Sequence, residues 1–170
     1  LRKEIGDHWG EALNLTTLAC FAEQQEKWDL AKVRYHQSQR LSARIAEDLH
    51  MAIAAQLSRA RIARRLGEHD EGERLAEDGL RLAKQISSRL LTAGALMELG
   101  QLAWGRGELA SAKGRLEEAF SLLEGTPWRR VTMECATLLG QLAEASGDES
   151  AAGSWYHEAR TLDPEGMREA

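Results

Sequence analysis

Between residues 92 and 106 the chain reads TAGALMELGQLAWGR, with apolar residues at helical spacing until Gly107 interrupts them. The helical pattern resumes as ELASAKGRLEEAFSLLE (108–124) and stops at Gly125-Thr126-Pro127. Farther on, LGQLAEAS (139–146), Gly147-Asp148, ESAAGSWYHEARTL (149–162) and Asp163-Pro164 repeat that rhythm. Two amphipathic segments joined by a turn of a few residues predict an antiparallel helical hairpin.

The pentapeptide LGQLA occurs at 99–103 and again at 139–143, and the match extends when the chain is shifted by 40 or 41 residues. Ala19, Ala60, Gly100 and Gly140 form one column, and Ala22, Ala63, Ala103 and Ala143 another. Small residues also align as Ala31, Gly72, Ala112, Ala152 and as Ser38, Gly79, Ala119, Ala159; Leu41, Leu82, Leu122 and Leu162 form a fifth column. Repetition at this period means stacked supersecondary units. Small columns mark places where helices cross too closely for a larger side chain. A Gly inside a helix costs about 1 kcal/mol relative to Ala, so Gly100 and Gly140 point to a packing requirement. The expected architecture is all-α: a solenoid of antiparallel hairpins, with four repeats at about 12–52, 53–92, 93–132 and 133–166 in one domain over 1–170, plus a partial N-terminal helix. The chain opens with Leu1, and LRKEI reads as a helix tail before Gly6-Asp7, so an excerpt of a longer protein is expected.

The spacing Leu139-Gly140, Ala143, Gly147, Ala152, Tyr156, Ala159, Pro164 resembles the tetratricopeptide (TPR) repeat. Leu99, Gly100, Gly107, Ala112, Leu116 and Ala119 fit in the third unit, and Leu15, Leu18, Ala19, Trp28, Ala31 and Tyr35 in the first. The second unit departs most, with Arg59 in a Leu position and Gly72 and Gly79 in its second helix. The Ala22 column stands where the family usually has a large aromatic, and the period exceeds the family's ~34 residues. That long, Ala-rich form is similar to the TPR arrays of large bacterial LuxR-type regulators and signalling ATPases. The resemblance implies a right-handed superhelix, a concave groove lined by the first helices, and protein partners.

Composition narrows the function classes. Net charge is −5, which supplies no global basic field for nucleic acid or an anionic membrane. No apolar run approaches the ~18 residues of a membrane span. Cys20 and Cys135 are too few for a disulfide framework or a thiolate zinc site, so reduced thiols in a cytoplasmic protein are expected. The five His show no metal-ligand spacing. GELASAKG (107–114) misses a phosphate loop at Ala112 and Gly114 and lacks a preceding strand. No catalytic set assembles without arbitrary choice. The expectation is a non-enzymatic chain without cofactor or metal.

The groove stripe expected on the first helices includes Cys20 and Glu23 in the first unit, then Leu57, Arg61, Arg64 and Arg65, then Met97, Gln101 and Trp104, and finally Gln141 and Glu144. Arg61, Arg64 and Arg65 share one helix side at i, i+3, i+4. With Trp104 beside them they would seat an acidic or C-terminal peptide segment. The alternative is a solvated face compensated by Glu68, Asp70 and Glu71. Thr16 and Cys20 stand where a carboxylate clamp needs Lys and Asn, so a chaperone tail is not expected. The leading reading is a protein–protein interaction module of a cytoplasmic regulatory protein, its partner a protein segment or a neighbouring domain of the same chain. The second is a small-effector sensor, with Trp104 between Gln101 and Gln141 as a platform for a sugar or metabolite.

Overall fold

The structure, a computed structural model, describes residues 2–43 and 49–162, with side chains from residue 8 onward. Eight helices and no strand occur among the described residues. They are α1 (Arg2–Gln24), α2 (Trp28–Ser42), α3 (Leu49–Arg65), α4 (His69–Gln85), α5 (Arg89–Gly105), α6 (Leu109–Leu123), α7 (Arg129–Ala145) and α8 (Glu149–Leu162). The chain divides into two compact units, Leu1–Leu91 and Thr92–Ala170. In the first, α1 packs on α2, α2 on α3, and α3 on α4. In the second, α6 packs on α7 and α7 on α8, and α5 meets α6 through Gly100.

One turn joins the helices of every hairpin. The first helix ends on a residue in the left-handed region: Glu26 (φ 56°), then Gly67, Gly107 and Gly147 (φ 78–80°). The next residue's N–H returns to a carbonyl of the Ala column: Lys27 to Ala22, Glu68 to Ala63, Glu108 to Ala103 and Asp148 to Ala143, at 2.8–2.9 Å. This is the Schellman arrangement, which satisfies carbonyls that the helix end leaves open. The same four residues then open the second helix. Their carbonyls accept from Ala31, Gly72, Ala112 and Ala152, the third small column, at 2.9–3.0 Å. A residue that closes one helix and starts the next leaves no loop, so the two helices must run antiparallel. Gly at the left-handed position avoids the Cβ clash that disfavours φ > 0.

The small columns lie at the helix crossings. A Cβ built on Gly100 would stand 2.9 Å from Leu116 Cγ and 3.3 Å from the Ala112 carbonyl oxygen. On Gly140 it would stand 2.7 Å from the Tyr156 ring. Ala19, Ala60, Ala31 and Ala112 are fully buried. Polar ties supplement the packing. In the first unit Gln39 Nε2 donates to Gln56 Oε1 (2.8 Å), and Gln56 Nε2 donates to the Leu75 carbonyl (2.9 Å), linking α2, α3 and α4. In the second unit Cys135 Sγ donates to the Leu116 carbonyl (3.3 Å), and Trp155 meets Phe120 edge-on at 5.0 Å.

Two details differ from the sequence pattern. α1 runs without a break from Arg2 through Gly6 and Gly10, so residues 2–5 belong to the first helix rather than to a separate element. Neither glycine has the positive φ that ends the other first helices. Pro164, the expected stop for α8, lies outside the described residues.

Candidate functional site

The first unit brings three charged side chains of the predicted stripe together with residues from α1 and α2. Arg61 on α3 grips Glu23 on α1 in two parallel hydrogen bonds, Nε to Oε1 at 2.7 Å and Nη2 to Oε2 at 2.9 Å. The Tyr35 hydroxyl donates to the same Glu23 Oε2 at 3.0 Å, and Cys20 Sγ lies 3.1 Å from that hydroxyl. A planar guanidinium matches a carboxylate in this geometry, which fixes both side chains. Burial pushes the Glu23 carboxyl up, but the hydrogen bonds and charge of Arg61, the Tyr35 hydroxyl and the charge of Arg65 outweigh it. The net effect is a pKa below the usual carboxylate value. Tyr35 moves up, first from burial and then from the Cys20 and Glu23 contacts.

Arg64 is half-buried and Arg65 exposed on the same side of α3. Arg65 holds its guanidinium carbon 6.0 Å from the centre of the Trp28 ring, at the outer limit of a cation–π contact. Within the first unit, the indole beside the cluster is Trp28 of α2. Glu68 and Glu71, acids near in sequence, are engaged elsewhere: Glu68 pairs with Lys32, and Glu71 with Arg59 and Arg74. The compensating carboxylate for Arg61 lies 38 residues upstream. Its one sequence signal is that Glu23 falls on the same predicted stripe.

Leu57 and Met97 are not groove residues, because both are buried. Leu57 fills a socket opened by Gly79 of α4, where a Cβ would lie 2.6 Å from Leu57 Cδ2. The equivalent residue of the first hairpin, Thr16, faces Ser38 in the Gly79 column, with the two oxygens 2.8 Å apart. This position thus packs onto the second helix of its own hairpin. Gly79, in a column otherwise Ser or Ala, was the readable sign of a large neighbour.

In the second unit Gln101 and Trp104 are half-buried on α5, and Gln141 and Glu144 are exposed on α7. Tyr156 of α8 donates to Glu144 Oε2 at 2.8 Å, as Tyr35 does to Glu23. The contact with Glu144 raises the Tyr156 pKa. Glu23–Tyr35 and Glu144–Tyr156 are the same pair in the first and fourth repeats. Among the described residues no group of three or more His, Cys, Asp or Glu could hold a metal ion, and no helix is long and apolar enough to cross a membrane.

These features define a TPR-like helical-repeat protein, and comparison with solved structures gives the same fold. The chain is similar to BtubC from P. vanneervenii (TM-score 0.70, 18% identity over 89% of this chain). It is also similar to the apo form of RapI (TM-score 0.74, 13% identity over 92%). A third similar structure is a P. anserina kinesin light chain described as having nearly identical TPR-like repeats (TM-score 0.68, 16% identity, 91% of this chain and 80% of that one). The chain spans 62% of BtubC and 43% of RapI. No protein-family model matches the sequence, and no curated protein does.

Proposed function

We propose that this chain is a non-enzymatic protein-interaction module within a larger regulatory protein, holding an acidic segment of a partner or of a neighbouring domain on its first helices. The observation that carries this reading is the α1–α3 face of the first unit. There the Glu23–Arg61–Tyr35 network holds the backbone spacing, while Arg65 is exposed with Arg64 beside it. Side chains fixed before binding lose little entropy on binding. Arg64 and Arg65 would supply charge-assisted hydrogen bonds to carboxylates. In the second unit, Gln101, Trp104, Gln141 and Glu144 are the proposed contact residues. The similarity of the long repeat period to the arrays of LuxR-type regulators supports a regulatory parent.

The test is selection of displayed peptides on the intact chain, followed by affinity measurement at two salt concentrations. Acidic peptides should be enriched, their binding should weaken with salt, and Arg64→Glu/Arg65→Glu should abolish it. Lys113→Glu, on α6, should leave it unchanged. Arg61 is left intact because removing it would disturb Glu23. Enrichment of the same peptides, with equal affinity, by parent and double variant would refute the reading.

A further inference from the structure

A cleft of about 360 Å³ opens in the second unit between α6 and the α7–α8 hairpin. That volume falls within the ~300–1,000 Å³ of small-ligand sites. Leu109, Leu139, Leu142 and Trp155 supply apolar walls, while Lys113 of α6 and Asp148 of the α7–α8 turn bring one charge of each sign. None of the stripe residues Gln101, Trp104, Gln141 and Glu144 lines it.

The repeat supplies an internal comparison. In the first unit the positions of Lys113 and Asp148 are held by Lys32 and Glu68, which form an ion pair. In the second unit the two charges do not pair with each other. Lys113 stands 3.9 Å from Glu117 of its own helix and makes no hydrogen bond among the described residues. Asp148 Oδ1 accepts the Ala151 N–H at 3.0 Å, capping α8. Asp148 is one methylene shorter than Glu68, and its cap ties it to its own backbone. Leu109, Ser146 and Ala151 stand where the first unit has the larger Trp28, Leu66 and Glu71. Trp28 packs against the first unit's core, whereas Leu109 is 38% exposed. Trp155, in the place of Leu75, forms a wall instead. Its ring meets Phe120, and its indole N–H has no acceptor among the described residues.

An ammonium and a carboxylate that share a cleft without meeting leave room for a group that answers both. An anion alone would face Asp148, and a cation alone would face Lys113; a zwitterion suits each. We infer that this cleft binds a free α-amino acid with an apolar side chain of the leucine or phenylalanine kind. The ligand's carboxylate accepts from Lys113 and its ammonium donates to Asp148. Its side chain lies among Leu109, Leu139, Leu142 and Trp155, where leaving water supplies the attraction. The site shares no residue with the acidic-segment site.

The probes are L-leucine, L-phenylalanine, glycine and N-acetyl-L-leucine amide, each titrated into the isotopically labelled chain by NMR. The Trp155 indole N–H and the backbone of residues 146–151 are expected to shift with leucine or phenylalanine. The better of the two should bind at least tenfold tighter than glycine, which lacks the apolar part, and than the blocked amide, which lacks both charges. Asp148→Asn keeps a capping oxygen and removes the charge; it should weaken binding at least fivefold. Lys113→Glu should abolish it, with both variants keeping the parent's helical circular dichroism. Binding by neither amino acid, glycine equal to the better one, shifts centred elsewhere, or an affinity indifferent to either charge overturns the proposal. Equal affinity for the blocked amide also overturns it, because the cleft then takes a side chain of a protein segment. Arg64→Glu/Arg65→Glu should leave amino-acid binding unchanged, as Lys113→Glu leaves acidic-peptide binding, so each reading fails by itself.

Discussion

Gly100 offers the sharpest test of how the hairpins close. Replacing it with Ala adds one methyl group, whose carbon would stand 2.9 Å from Leu116 Cγ and 3.3 Å from the Ala112 carbonyl oxygen. Carbon pairs prefer at least ~3.5 Å, so the overlap with Leu116 is about 0.6 Å. Leu116 is fully buried, and the second obstacle is backbone, so relief requires α5 and α6 to move apart. Overpacking of this kind costs about 1–3 kcal/mol. Against it stands the helix-propensity gain of Gly→Ala, about 1 kcal/mol. Gly100→Ala should therefore come out between neutral and about 2 kcal/mol destabilised. Gly114→Ala supplies the control: it lies in α6 of the same unit, and a Cβ there meets nothing within 4 Å. It should stabilise by about 0.5–1 kcal/mol through propensity alone. The measured quantity is the difference between the two variants in urea denaturation followed by circular dichroism, with m unchanged. Gly100→Leu should lose about 3 kcal/mol or more, as a strong overpacking case. If Gly100→Ala stabilises as much as Gly114→Ala, the close crossing of α5 and α6 is wrong.

Three further outcomes follow from the same contacts. The Cys135 thiol is buried and pushed up to about 12, first by burial and then by the Glu134 charge, whereas Cys20 is exposed. An aromatic disulfide reagent at pH 8 should therefore titrate one thiol quickly and the second only on unfolding; two fast thiols would contradict the burial of Cys135. Glu23, with its pKa below the usual carboxylate value, contributes stability that is complete above the unfolded carboxyl value and is lost as pH falls through the folded one. Arg61→Gln should raise the Glu23 pKa, because burial then acts with less opposition; a carboxyl NMR titration that leaves Glu23 unmoved would rule out the pairing. Leu57→Ala opens the Gly79 socket and should cost about 2–5 kcal/mol in denaturant unfolding. A surface-like loss below ~0.5 kcal/mol would return Leu57 to an exposed groove.

The sequence alone determined the helices, their pairing and their turns, because each depends on neighbours a few residues apart or on a repeated column. Gly107 and Gly147 mark left-handed helix ends, and Gly100 and Gly140 mark crossings where a Cβ has little or no room. A sequence periodicity shows which residues share a helix side; it does not show what the neighbouring helix brings. Leu57 thus shares the stripe in sequence yet fills the socket opened by Gly79, and Met97 is buried as well. Likewise Arg61 pairs with Glu23 on α1, 38 residues upstream, although Glu68, Asp70 and Glu71 lie nearer in sequence. Ion pairs and sockets between helices are set by three-dimensional distance, and residues 20 to 40 apart meet only once the hairpins have packed. Tertiary structure alone decided which charges of the stripe became internal ties and which of its apolar residues, Leu57 and Met97, were buried.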